Sequence, residues 1–166
     1  MSQRLLFLLA FLVCAAAMGG ALIFQYVMYL EPCPLCIFQR IVVITLGLIF
    51  LVAVLHNPET VGRKIYGLVT MLVSSAGIGL AARHVWLQNL PPDKVPECGP
   101  GLDYYLETLP VLDVFRKVLS GSGECAEVVW RFLGLSIPGW TLVMFAGFCI
   151  FGLYLLFTRP PIVLRF

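Results

Sequence analysis

Two cysteines separated by two residues, Cys33-Pro34-Leu35-Cys36, are the part of this 166-residue chain best suited to chemistry. A C-x-x-C pair can be a redox couple, half of a metal site or a static disulfide, and its setting decides among them. Pro34 suits the first position of a helix, where its missing N–H costs nothing and its fixed φ is already helical. Cys36 then falls in the first turn, where unpaired backbone N–H groups and the helix dipole favour a thiolate, the reactive form of sulfur. Arg40 follows four residues later, one turn away on the same helical face, and puts a permanent cation near that sulfur.

The element that must carry this pair is a membrane span. The chain is 60% hydrophobic and only 12% charged, a composition that points to the bilayer as solvent. Ile41 to Leu55 alone gives about 22 Å of helix against the roughly 30 Å needed to cross a bilayer core, whereas a helix begun at Pro34 gives about 33 Å. Cys36 and Arg40 therefore sit at the membrane boundary. There Arg40 can snorkel from a helix end, or it can hydrogen-bond a carbonyl such as that of a quinone and stabilise a developing anion.

Apolar runs predict spans over 5–26, 34–55, 65–86 and 137–157. A cleavable signal peptide competes for the first, with Ala15-Ala16-Ala17 as small residues, but the run continues to Phe24, too long for one. Arg4, Arg63, Lys64, Arg159 and Arg165 fall on one side, while Asp93, Glu97, Asp103 and Glu107 fall on the other, so both termini are expected to be cytoplasmic. The expectation is an all-α membrane protein, one integral domain over 1–166: a four-transmembrane-helix bundle with outer loops 27–33 and 87–136. A net charge of +2 gives no reason to expect nucleic acid as a partner.

The remaining cysteines divide by environment. Cys14 and Cys149 lie inside spans and read as small hydrophobes. Cys98 and Cys125 lie in the long outer loop, where a static disulfide and an exchangeable one are both open readings. Their neighbours, Gly99-Pro100-Gly101 and Ser120-Gly121-Ser122-Gly123, predict flexible, exposed backbone, which favours a labile pair. A zinc site would need four converging ligands, and Cys98 and Cys125 lack a second C-x-x-C, so no metal is expected. Between them Leu102, Leu106, Leu109, Leu112 and Phe115 recur at helical steps, broken at Pro110, and predict short helices on the membrane surface. His84, at the outer end of span three, lies at a depth where it could assist a quinone. His56, at the opposite end of span two, and Trp86, Trp130 and Trp140 read as structural or interfacial residues.

These features together resemble the DsbB family of bacterial disulfide-bond formation proteins over nearly the whole chain. Closest in kind are Cys33-Pro34-Leu35-Cys36-Ile37-Phe38-Gln39-Arg40 and Gly123-Glu124-Cys125 followed by Trp130-Arg131-Phe132-Leu133-Gly134-Leu135. The established route from DsbA through DsbB to quinone keeps the periplasm oxidising. The resemblance implies a quinone-dependent protein-disulfide oxidoreductase of the inner membrane, here a monomer, whose outer loops are periplasmic. It implies that Cys98 and Cys125 form a disulfide attacked at Cys98 by a DsbA-like thioredoxin-fold oxidase. It implies further that Cys33 exchanges with Cys125, that Cys36 engages the quinone, and that Arg40 helps bind it, with ubiquinone or menaquinone as cofactor. The Pro-Leu interior of the motif and the 98–125 loop depart from the family pattern. Competing readings are a vitamin K epoxide reductase-like enzyme, whose motif opens a later span, a tetraspan protein with static loop disulfides, and a metal-binding module.

Overall fold

The computed structural model describes residues 3–96 and 102–158. Four helices are long and apolar enough to cross a membrane: α1 (Gln3–Tyr26), α2 (Pro34–His56), α3 (Thr60–Gln88) and α7 (Ile137–Phe157). The segment between α3 and α7 carries a 3-10 turn (Pro92–Lys94), three short helices and a hairpin. These are α4 (Leu102–Thr108), α5 (Val111–Ser120), α6 (Gly123–Ala126), β1 (Arg131–Phe132) and β2 (Leu135–Ser136). The protein is an all-α membrane bundle, as its composition dictates.

α2 begins as the span length requires. Cys33 is its N-cap, in extended backbone, Pro34 opens the helix, and the Cys33 carbonyl accepts the first helical bond from the Ile37 N–H at 3.1 Å. α3 runs past both ends of the apolar stretch at 65–86. The polar residues at its ends are partly partnered: Arg63 keeps Nε and Nη1 buried without a hydrogen-bond partner among the described residues. Arg63, in its first turns, is buried against α7, with a guanidinium N–H donating to the Thr158 hydroxyl and the cation over the Tyr154 ring.

α7 packs most closely on α3, α1 on α2, and α2 on α3. At the end away from the cysteines, Phe7, Phe50, Phe148 and Phe151 interlock as the core, with Phe7 and Phe151 bridging α1 and α7. Gly67 and Gly152 let the backbones of α3 and α7 meet there: a Cβ on Gly152 would lie 2.7 Å from the Gly67 carbonyl oxygen. At the cysteine end α1 and α7 leave a deeper gap floored by α2.

Short helices form on either side of Pro110, as expected: Pro110 is the N-cap of α5, Leu106, Leu109, Leu112 and Phe115 are exposed as an apolar face, and α5 buries Val114 and Val118 against the bundle. One expectation about the outer segment needs correction. The 120–123 stretch is an ordered connection. Gly121 has φ 82°, and a Cβ there would run into Leu87. Arg83 of α3 donates from Nε to the Leu119 carbonyl at 2.9 Å and from Nη2 to the Ser120 carbonyl at 3.0 Å, satisfying helix-end acceptors, and stacks on Trp86. The β1–β2 hairpin was unforeseen: Leu133 and Gly134, both at positive φ, make the two-residue turn that matches strand twist.

Candidate functional site

The N-terminus of α2 places the two sulfurs of the C-x-x-C pair 3.2 Å apart. They face different surroundings. Cys36 is half-buried on the wall of an apolar cavity that occupies the gap between α1 and α7. Cys33 is buried and turned towards α6, whose single turn carries Cys125. The Cys125 Sγ, the Cys33 Sγ and a ring nitrogen of His84 lie within 4.8 Å of one another. Cys125 is fully buried among Leu35, Leu87, Val114 and Val118, which corrects the exposed position its glycine-rich flank suggested. Its neighbour Cys33 and its burial push the Cys125 thiol well above its ordinary range, so two adjacent thiolates are disfavoured in the reduced chain. Cys98 lies outside the described residues.

His84 is buried beside both sulfurs of the C-x-x-C pair. It sits one turn inside α3, is 2% exposed, and reaches both sulfurs, with Nε2 3.7 Å from Cys33 and Nδ1 4.0 Å from Cys36. Its sequence signal was the small-residue face of α3, Gly67, Thr70, Ser74, Gly77 and Ala81, which repeats at three and four residues and reaches His84 next. Gln39 and Thr141 went unnoticed in the sequence. The buried Gln39 side chain lies 3.1 Å from His84 Nδ1 through Nε2, and its Oε1 accepts from the Thr141 hydroxyl at 2.6 Å. Thr141 also lies 2.9 Å from the Pro138 carbonyl. Both residues are inconspicuous in sequence because their partners are remote in the chain.

Arg40 lines the same cavity as Cys36, as the one-turn spacing predicted. Its guanidinium is anchored by α1, donating to the Gln25 side-chain oxygen and, at 3.1 Å, to the Ala21 carbonyl. Glu31, Gln39 and Thr141 add polar groups to the cavity lining. The rest of the wall is small or apolar, Ala17, Ala21, Phe24 and Ile137 among it, and the cavity continues towards Trp140 and Met144. Trp130, stacked on Phe132 and packed against Phe24, borders this extension, and Trp140 donates its indole N–H to the Phe132 carbonyl. Two tryptophans assigned to the interface thus help form the cavity. Cys14 is buried in α1, and half-buried Cys149 in α7 lies 3.8 Å from the Ser75 hydroxyl, both away from the site.

The arrangement suits thiol–disulfide exchange between Cys33 and Cys125, with Cys36 part of the same exchange and open to the cavity. Residues 3–155 match the family model described as disulfide bond formation protein DsbB. Relatives named disulfide bond formation protein B include that of Marinobacter nauticus, 50% identical over 96% of this chain and 95% of its own length. That of Nitrosococcus oceani is 54% identical over 87% of this chain and 86% of its own length, and that of Chromohalobacter salexigens is 55% identical over 88% and 86%. With a family match over the four helices and relatives at half identity along nearly the full length, the chain belongs to the DsbB family of disulfide bond formation proteins.

Proposed function

We propose that this protein reoxidises a DsbA-type thiol oxidase of the periplasm and delivers the electrons to membrane quinone from the inner membrane, with both termini cytoplasmic. The observation that carries this reading is the division of the C-x-x-C pair: Cys33 faces Cys125, while Cys36 faces an apolar cavity open between two spanning helices. Cys98 takes the attack of the partner's thiolate, and the electron pair of the broken Cys98–Cys125 bond passes to Cys125. Cys125 then bonds to Cys33, and breaking the Cys33–Cys36 bond leaves the pair on Cys36 as a thiolate at the cavity wall.

Quinone supplies a lipid-soluble acceptor of two electrons and two protons, and the cavity residues fit it: small apolar walls for a ring and chain, and polar groups at one end. Arg40, held by α1, offers a cation to a ring carbonyl and to the charge that develops on it. Gln39 binds and orients from the Cys36 side, and His84, which does not line this cavity, positions Gln39 through Nδ1. His84 also offers an N–H to the sulfurs as they become anionic.

The test is direct. Purified protein given ubiquinone or menaquinone should oxidise a reduced thioredoxin-fold partner, and Cys36→Ser should abolish quinone reduction while leaving the chain folded. Undiminished turnover in that variant would refute the assignment of Cys36.

A further inference from the structure

We infer that the fully reduced protein binds one thiophilic divalent cation, of which zinc is the type, through Cys33, Cys36, Cys125 and His84. The sequence argued against a metal because Cys98 and Cys125 could not be seen to converge on the C-x-x-C pair. That count considered thiolates alone and left out His84.

The geometry is close to what a tetrahedral ion needs. Zinc binds thiolate at about 2.3 Å and imidazole at about 2.0–2.1 Å, so ligand atoms around it stand roughly 3.6–3.8 Å apart. Cys33 Sγ and His84 Nε2 are 3.7 Å apart, and those two residues lie with Cys125 Sγ inside a 4.8 Å sphere of mutual distances. Cys36 Sγ, 3.2 Å from Cys33, lies outside that set and turns inward from the cavity wall to become the fourth ligand. Three of the four residues are buried. The recess leading to them is lined by Glu31, Glu124 and Glu127, an acidic entrance that favours a cation.

The surrounding polar groups offer a complete alternative hydrogen-bond set. A histidine that ligates through Nε2 must carry its proton on Nδ1 and donate it to an acceptor. Turning the Gln39 amide by half a turn presents Oε1 to Nδ1–H and Nε2–H to the Thr141 oxygen. The Thr141 proton then goes to the Pro138 carbonyl, already 2.9 Å away. Every polar group is satisfied in both arrangements.

Either disulfide removes ligands, so only the reduced chain presents the full set, and binding expels the thiol protons. Zinc has no redox chemistry of its own and leaves the sulfurs reduced. The binding is independent of the quinone reading. A bound ion holds Cys33 and Cys125 as ligands and so blocks their exchange, a consequence that rests on the proposed function.

Cobalt(II) is a suitable probe, because tetrahedral thiolate coordination gives it intense visible and near-ultraviolet bands. Titration into anaerobic, dithiol-reduced full-length protein should give one tetrahedral cobalt per chain, displaced by zinc. The disulfide-oxidised protein should give none. Cys125→Ser and His84→Ala should each abolish or weaken binding at least tenfold, Gln39→Leu should weaken it about 10–100-fold, and Cys98→Ala should retain it. If His84→Ala fails to fold, X-ray absorption on the native zinc complex must find a nitrogen among sulfur neighbours. Absence of tetrahedral cobalt from the reduced protein would overturn the inference. So would binding that survives loss of Cys125, or an all-sulfur shell. Quinone-linked turnover in chelated buffer, measured alongside, tests the redox reading separately.

Discussion

The two ends of this bundle solve opposite problems with similar residues. At the end away from the cysteines, glycines bring α3 and α7 into backbone contact, and Phe7 meets Phe151 to bridge α1 and α7 beside a shallow groove lined by Leu9, Val13 and Gly147. At the cysteine end, Ala17, Gly20 and Ala21 of α1 face α7 across a cavity, and polar side chains bridge the helices instead: Arg40 to Gln25, and Thr141 through Gln39 to His84. Small residues at one end give close packing, and at the other they give room. What differs is whether a neighbouring backbone fills the space. The packed end holds the helices, which lets the other end keep an opening without collapse.

The comparison breaks most severely at Gly152. A Cβ there meets the Gly67 carbonyl oxygen and lies 2.9 Å from the Met71 backbone nitrogen, and backbone cannot step aside cheaply. Gly152→Val should cost about 1–3 kcal/mol by overpacking, seen as a lower denaturant or thermal midpoint in detergent. Turnover should fall only with the folded fraction. An unchanged midpoint would mean that the close approach of α3 and α7 is not what holds this end.

A similar small-to-large change at the open end should do the reverse. Ala17→Leu projects into the cavity shared by the polar and apolar portions of the site. Its stability should stay within about 0.5 kcal/mol. The KM for quinone should rise about tenfold at little changed kcat, which is the signature of lost uniform binding. A drop in stability without a change in KM would show that the gap is a packing surface.

The same contrast governs how much could be read from the sequence. Helix number, the start of α2 at Pro34 and the shared face of Cys36 and Arg40 follow from local rules: bilayer thickness, proline geometry and 3.6 residues per turn. The proximity of Cys125 to Cys33, the burial of His84 and the bridge through Gln39 and Thr141 depend on how α3, α6 and α7 pack, and no local spacing encodes that. Ser120-Gly121-Ser122-Gly123 was misread for the same reason. Glycine and serine signal flexibility when nothing holds them, but here Gly121 lies against Leu87, and Arg83, 38 positions earlier, secures the carbonyls before it.

The smallest expected effect concerns that last contact. Arg83 is half-buried and its two hydrogen bonds to the end of α5 lie at the surface, so together they stabilise the segment by about 1 kcal/mol, too little to move the global midpoint appreciably. They lie just upstream of the turn that buries Cys125. Arg83→Ala should therefore raise the population of locally opened α5–α6 segment about fivefold. In the reduced, metal-free protein this should be measured as about fivefold faster alkylation of Cys125, with Cys14 unaffected. Equal acceleration at both cysteines would mean that Arg83 supports the bundle as a whole. No acceleration would place the latch in Gly121, Val114 and Val118, the apolar contacts beneath it.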